Sequence, residues 1–445
     1  MTRRLAVIGG DAGGMAAAAQ ARRTDPTLEI VAFEKGEHTS YSACGIPYVV
    51  SGLIDELDDL VVRTPQEHRD TSRIDVRTRH EVVGIDLGAR RLEVRDVAHN
   101  RTIQVPFDDL LIGTGSTPIR PDLPGIDLPF VRGVQTLDDA EALLREATAD
   151  RCTNVVVVGG GYIGLEMAEA FVDRGMRVAV VEQAAHVMGT LDADMATPIE
   201  DSMRGLGIDL RVGTAVTGFA DRVVQTDAGP VLADLVVLGL GVLPQTAVAG
   251  DAGVELGVKG AIRVDRRQQT SVEGVWAAGD CCESTHIVSG RPVHVALGTV
   301  ANKQGRVAGI NIGGGYAAFP GVLGTAITRI CATEVSRTGL SEREANDAGF
   351  VTVAATIEST TVASYLPDAP KVKVKLVAER RTGRVLGAQI VGGTGAAKRI
   401  DVLVTAITAG MDVDEMSQLD LAYAPPFSPV WDPVLRAARR VAALV

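Results

Sequence analysis

One pattern occurs twice in this chain, and few folds accommodate it. Leu5-Ala6-Val7-Ile8 reads as a buried strand running into Gly9-Gly10-Asp11-Ala12-Gly13-Gly14. An Ala-rich helix is expected from Met15 to Arg23, then the apolar strand Glu29-Ile30-Val31-Ala32-Phe33, which ends at Glu34. The order returns at Val155-Val156-Val157-Val158, with Gly159-Gly160-Gly161-Tyr162-Ile163-Gly164 after it. Its helix is expected from Leu165 to Arg174, and its second strand, Arg177-Val178-Ala179-Val180-Val181, ends at Glu182. Strand, tight glycine turn, helix and acid-terminated strand make up the dinucleotide-binding βαβ unit.

Each part has a physical reason. The first glycine permits the tight turn, the second lets backbone approach a pyrophosphate, and the third lets helix and strand pack closely. The helix N-terminus offers free N–H groups and positive dipole to the phosphates. The acid, about 20 residues on, accepts hydrogen bonds from a ribose diol. The second copy has all three glycines, Gly159, Gly161 and Gly164, whereas the first has Asp11 where the middle glycine belongs. That puts a carboxylate beside a pyrophosphate unless it turns away. Glu182 is followed by Gln183-Ala184-Ala185, with no arginine for a ribose 2′-phosphate, which favours NADH over NADPH.

Composition narrows the class. An apolar content of 46% is too high for a disordered chain. The net charge of −12 argues against nucleic acid or an anionic membrane as a partner. Five cysteines in 445 residues make no disulfide framework, and neither a CxxC nor a Cys/His metal spacing occurs, so no metal site is expected. The apolar start is broken at Gly9-Gly10-Asp11 before an export signal develops, and no window is long enough to span a membrane. A cytoplasmic enzyme with free thiols is expected.

Further glycine clusters punctuate the chain. Ile112-Gly113-Thr114-Gly115 and Leu238-Gly239-Leu240-Gly241 stand at strand ends and are followed by Pro118 and Pro244, which suits crossovers between domains. Val275-Trp276-Ala277-Ala278 is a short strand ending in Gly279-Asp280, and a helix is expected from Thr299 to Ile310. In this order the elements resemble the pyridine nucleotide–disulfide oxidoreductases over essentially the whole chain.

The resemblance implies an α/β fold: two Rossmann-like dinucleotide-binding domains plus a C-terminal α+β dimerisation domain. It assigns FAD to residues 1–112 and 245–318, NAD(P)H to 113–244 and the dimer contact to 319–445. For FAD it points to Gly9, Gly13, Gly14, Glu34, Gly279, Asp280 and Asn302, with Asp280 on the ribityl chain. For NAD(P)H it points to Gly159, Gly161, Gly164, Glu182 and Gly241. The alternating Lys371-Val372-Lys373-Val374-Lys375-Leu376-Val377 predicts a half-buried antiparallel strand, with helix to follow from Ala396 to Ala409.

The chemistry turns on Ser40-Tyr41-Ser42-Ala43-Cys44-Gly45-Ile46-Pro47-Tyr48. Dithiol members of the family carry two cysteines here; this chain carries one. Beside a flavin a lone cysteine can be a nucleophile, or can store an electron pair as a mixed disulfide or sulfenic acid. On composition alone it is equally a packed structural thiol. The motif is similar to the coenzyme A disulfide reductase branch, which includes NADH oxidases, NADH peroxidases and persulfide reductases. Peroxidases and oxidases often have histidine where this chain has Ala12.

The branch implies that tyrosines of the partner subunit assist the thiol, here Tyr423 in Tyr423-Ala424-Pro425-Pro426-Phe427-Ser428 and, less specifically, Tyr365. A tyrosine hydroxyl can protonate a leaving thiolate. Gln20, Arg23 and Ser40 match substrate-contact positions, although Arg22-Arg23 also reads as a solvated helix end. Ala43 replaces an asparagine, and Ser72 and Trp431 replace lysines that contact coenzyme A in relatives. The expected enzyme is a homodimer reducing a small thiol-derived disulfide or persulfide, with coenzyme A as a candidate thiol and no appended sulfur-transfer domain. Its alternatives are an NADH oxidase using O2 through a Cys44 sulfenic acid, and a redox-sensing or electron-carrying flavoprotein with a structural Cys44. Cys152, Cys281, Cys282, Cys331, His286 and His294 are read as structural.

Overall fold

The computed structural model describes residues 2–148 and 152–445. Arg4–Ile8 is the middle of a five-stranded parallel sheet ordered Val275–Ala277, Asp109–Ile112, Arg4–Ile8, Glu29–Phe33, Ile74–Arg77. Asn154–Val158 occupies the same place in a second parallel sheet ordered Asp209–Arg211, Arg177–Val181, Asn154–Val158, Leu235–Leu238, Val131–Gly133. The central strands are covered on both faces, which is why their sequences are continuous Val/Ile/Leu runs rather than alternating ones.

The two halves share more than the βαβ unit. Each carries a three-stranded antiparallel meander, formed by His80–Asp86, Arg91–Asp96 and Arg101–Pro106 in the first half and by Val216–Ala220, Val223–Thr226 and Val231–Leu232 in the second. The two crossovers between the halves pair as a short antiparallel ladder, Ser116–Pro118 against Val242–Pro244.

Both nucleotide-unit helices start three residues earlier than propensity predicts, at Ala12 and Tyr162, running to Thr24 and Asp173. Glycine is a poor helix former, yet Gly13, Gly14 and Gly164 all lie in the first turn because the helix must press onto its own strand and its neighbours. A Cβ on Gly14 would stand 2.0 Å from the Gly9 carbonyl oxygen, and one on Gly164 2.1 Å from that of Gly159. The helix Gly298–Ile312 crosses Ala12–Thr24 just as closely: a Cβ on Gly305 would meet the Gly13 carbonyl at 2.4 Å.

The C-terminal part is a five-stranded antiparallel sheet ordered Ala326–Ile330, Thr333–Gly339, Val385–Gly392, Lys371–Glu379, Thr352–Thr360, with the helices Ile400–Ala409 and Pro433–Ala442 packed on it. The expectation of a half-buried alternating strand over 371–377 needs correction. Val374 to Ala378 are all buried, Lys375 included. Its ammonium is matched by Asp192 at 3.1 Å, Asp194 at 2.9 Å and Glu342 at 3.2 Å, so a lysine is held where alternation predicts solvent. Asp192 and Asp194 begin the helix Ala193–Gly205 of the second nucleotide half, and this cluster joins the two parts.

Candidate active site

The two glycine turns are built alike. Gly9 and Gly159 take φ of +103° and +107°, a left-handed conformation that glycine adopts without strain. In the first unit Glu34 accepts the Gly10 and Gly36 N–H groups, both at 2.8 Å; in the second Glu182 accepts those of Gly160 at 2.6 Å and Ala184 at 2.7 Å. Each carboxylate is thereby fixed beside its turn, with lone pairs left for a diol. Helices starting after Thr64, Thr136, Ser341 and Asp412 are closed by capping boxes, whereas no side chain caps Ala12–Thr24 or Tyr162–Asp173. Their first-turn N–H groups stay open to an anion. A Cβ on Gly161 would meet nothing nearer than the Gly239 carbonyl at 3.9 Å, so protein packing does not demand glycine there. A cradle for a close-approaching phosphate does. These residues fit two dinucleotides.

The Gly279-Asp280 loop packs against the first turn at Gly13. Gly279 takes φ +88° and approaches Gly13, whose own Cβ would stand 2.8 Å from the Ala278 carbonyl. Asp280 accepts the Ser116 hydroxyl at 3.0 Å, and burial raises its pKa. Asn302 is exposed and donates to the Gly298 carbonyl at 2.9 Å. In the second half Gly241 takes φ +86° at the crossover.

Cys44 lies in the short turn Ala43–Gly45, which leads into the helix Ile46–Ser51. Two sets of contacts hold this segment. Towards the first turn, Ser40 N–H and the Thr39 hydroxyl both donate to the Gly10 carbonyl, and Tyr41 N–H donates to Asp11 at 3.3 Å. Towards the second half, Ile46, Val49, Val50 and Leu60 are buried in the same apolar cluster as Leu165 and Phe171. Arg174 donates to the carbonyls of Val49 and Val50. At about 1.5–3 kcal/mol for each fully buried aliphatic side chain, this packing clamps the cysteine turn between the two nucleotide units.

Cys44 itself is exposed and free. Its thiol is pushed up from the ordinary value by desolvation and then by the carboxylates of Glu166, Asp11 and Asp280. Glu166 was not picked out from sequence. It lies one turn into the second nucleotide helix, and its own pKa is raised by burial while it accepts the Thr328 hydroxyl. The signal that could have found it is its offset of two residues from Gly164.

Of the substrate-contact candidates, Gln20 and Arg23 lie on the helix Ala12–Thr24 and Ser40 on the loop before the cysteine turn. Arg23 donates to Gln20 Oε1 at 3.0 and 3.3 Å, so these two act as a pair. The Ser40 hydroxyl shares a 2.9 Å hydrogen bond with His68 Nε2 on the helix Pro65–Ser72. Arg22 is not a solvated helix end: its guanidinium donates to the carbonyls of Pro26, Leu28, Ser72 and Arg73 and ties the two helices together.

Tyr365 and Tyr423 lie on exposed loops of the C-terminal part, 72% and 48% accessible. Ala363 N–H donates to Pro425 O at 2.9 Å, and Arg399 donates to Thr361 O and Phe427 O at 2.7 Å each, so the two tyrosine loops form one surface. Exposed Phe427, Val430 and Trp431 extend it.

Two further thiols pack against backbone carbonyls. Cys281 donates to Ile112 O and Ala278 O, and Cys282 to Gly279 O; both are buried and free beneath the Gly279-Asp280 loop. His294 Nε2 lies 2.7 Å from Asp280 O, and buried His286 accepts the Val288 N–H. Among the described residues no helix is long and apolar enough to cross a membrane.

Residues 3–319 match the pyridine nucleotide-disulphide oxidoreductase family, and residues 325–433 match its dimerisation domain. The chain belongs to this family. As a family member it is an FAD-dependent oxidoreductase that uses NAD(P)H. It is 38% identical over 441 residues to the NAD(P)H sulfur oxidoreductase (CoA-dependent) of Pyrococcus furiosus, covering 98% of each chain. It is 34% identical to the NADH oxidase of Methanocaldococcus jannaschii, again over 98% of each. Among solved structures it superposes on the NAD-dependent persulfide reductase from A. fulgidus with a TM-score of 0.96 and 37% identity, over 99% of this chain and 83% of that one. The oxidoreductase fold is therefore shared along the full length.

Proposed function

We propose that this chain forms a homodimeric, NADH-preferring reductase of a low-molecular-weight disulfide or persulfide, with Cys44 as the redox centre. In this reading FAD is held by residues 1–112 and 245–318, NADH by 113–244, and the subunit contact by 319–445. The observation that carries it is the clamped position of the single exposed Cys44 between the first glycine turn and the helix Tyr162–Asp173 of the second nucleotide unit. Bound FAD supplies hydride acceptance from NADH and delivery of an electron pair to sulfur.

The chain's residues do the rest. The Cys44 thiolate attacks one sulfur of R–S–S–R, forming Cys44–S–S–R and releasing R–S⁻. Tyr423 of the partner subunit, with Tyr365 of the partner subunit beside it, offers a phenol proton to that leaving thiolate. Two electrons then cleave the mixed disulfide to the Cys44 thiolate and a second R–S⁻. With R–S–SH as substrate, the same cycle yields R–SH and sulfide. Gln20, Arg23 and Ser40 line the approach, Ser40 being held by His68. Coenzyme A is the candidate thiol, supported by the CoA-dependent relative. Glu182, pinned by two backbone N–H groups, favours a ribose diol over a 2′-phosphate.

The NADH oxidase relative supports a second reading, in which O2 is the acceptor and Cys44 cycles through sulfenic acid. A steady-state screen with NADH and NADPH against coenzyme A disulfide, coenzyme A persulfide, other small disulfides, peroxide and oxygen separates the two. Cys44→Ser should abolish disulfide and persulfide turnover while FAD stays bound and reducible by NADH. Retained disulfide turnover in that variant would sink the mechanism. Oxygen uptake faster than any disulfide reduction would select the second reading.

A further inference from the structure

We propose that Asp11 makes FAD binding proton-linked: its carboxyl enters the complex carrying a proton, and affinity for FAD falls as the pH rises through the range in which the free carboxyl ionises.

The internal repeat supplies the control. Asp11 and Gly161 hold the same position, the N-cap residue of the helix after the glycine turn, and both backbones are extended there (φ −119°, ψ −159° and φ −83°, ψ −176°). At Gly161 a Cβ would point into open space in front of the helix, with only the Gly239 carbonyl at 3.9 Å. Asp11 places a carboxylate in the corresponding space of the first turn. An aspartate at an N-cap normally accepts an N–H of its own helix. Asp11 makes no such cap to the second or third N–H of its helix; its carboxylate takes the Tyr41 N–H at 3.3 Å, with the Ala12 N–H beside it.

The charged and titratable groups around it come from each neighbouring element. Glu34 follows the strand Glu29–Phe33, Asp280 follows Val275–Ala277, and Tyr41 and Cys44 belong to the redox segment. Two carboxylates, a phenol and a thiol bring no cation to it. Burial above all, then Glu34 and Asp280, push the carboxyl up to about 6 against the opposing N–H groups of Tyr41 and Ala12. The FAD diphosphate brings further negative charge to the same helix N-terminus. Ionised Asp11 and the diphosphate repel each other; protonated Asp11 removes the repulsion. The complex therefore holds the proton more tightly than the free protein, and binding takes one up wherever the free carboxyl is ionised.

The test is the release of FAD on dilution of the holoenzyme, followed by flavin fluorescence between pH 6 and pH 8. If only the protonated form binds, the Kd for FAD rises about 50-fold across that range. In Asp11→Gly and Asp11→Asn it should change less than about twofold, with binding at pH 8 tighter than in the unaltered chain. Two variants are used so that one failing to fold leaves the other to decide. A flat profile in the unaltered chain overturns the proposal. So does a slope that survives in either variant, which would assign the proton to Glu34 or Asp280. Because the readout is FAD release, the outcome is independent of which thiol Cys44 serves.

Discussion

Gly161→Ala separates what the second glycine turn does for folding from what it does for nucleotide. Gly161 has φ −83°, which alanine adopts freely, and the added methyl would meet only the Gly239 carbonyl at 3.9 Å. Alanine is a poorer N-cap than glycine, so the protein should lose about 1 kcal/mol or less. The nucleotide should lose more. The methyl stands in front of an uncapped helix N-terminus and keeps the pyrophosphate from the N–H groups there. Hydrogen bonds to charged groups are worth about 1.5–3 kcal/mol, so the KM for NADH should rise about 10- to 100-fold.

The assay is steady-state KM for NADH at fixed acceptor, with FAD content and thermal midpoint measured on the same samples. Gly164→Ala is the contrasting variant. Its Cβ would be 2.1 Å from the Gly159 carbonyl, so the turn itself must move, at a cost of about 3 kcal/mol or more. An unchanged KM in Gly161→Ala would refute the reasoning. So would a loss of stability as large as that of Gly164→Ala.

Tyr423→Phe should lower disulfide turnover about 100-fold while leaving NADH-driven FAD reduction intact, with Tyr365→Phe smaller in effect; stopped-flow absorbance separates the half-reactions. Lys375→Met strands Asp192, Asp194 and Glu342 around a buried site. Asp194 and Glu342 are nearly half exposed, so the loss should be about 2 kcal/mol, below the usual cost of breaking a buried pair, and a lowered denaturation midpoint would register it. In the FAD-free protein, Asp11 has its pKa raised from 3.8 to about 6, so the folded state binds the proton more tightly than the unfolded chain. Stability is then lost as the pH rises between those values and stays lost above them. Asp11→Asn should be more stable at pH 8 by up to about 3 kcal/mol, a gain that fades below pH 4 in urea denaturation.

The repeated βαβ units were legible because their signals are local. A continuous apolar strand, a glycine turn and an acid at the next strand end lie within one short stretch, and each is required by backbone geometry. The helix starts were misplaced because Gly13, Gly14 and Gly164 weaken local helix propensity, and only contact with the Gly9 and Gly159 carbonyls explains them. The meander Arg91–Asp96 alternates cleanly between buried and exposed residues and could have been read as a strand. Lys375 could not, since its partners lie far away in the chain. Arg22 looked solvated for the same reason, its acceptors at Ser72 and Arg73 being outside the local sequence.

By itself the sequence determined the two nucleotide turns, their acids Glu34 and Glu182, and the singleness of Cys44. These depend on residues near one another in the chain, where sterics and hydrogen-bond capacity act directly. Only the tertiary structure decided how Cys44 is held, what surrounds it and where Asp11 points. Those follow from contacts that Tyr41 and Asp280 make within the first half and that Glu166 and Arg174 make from the second, because charge and burial act through space and not along the chain.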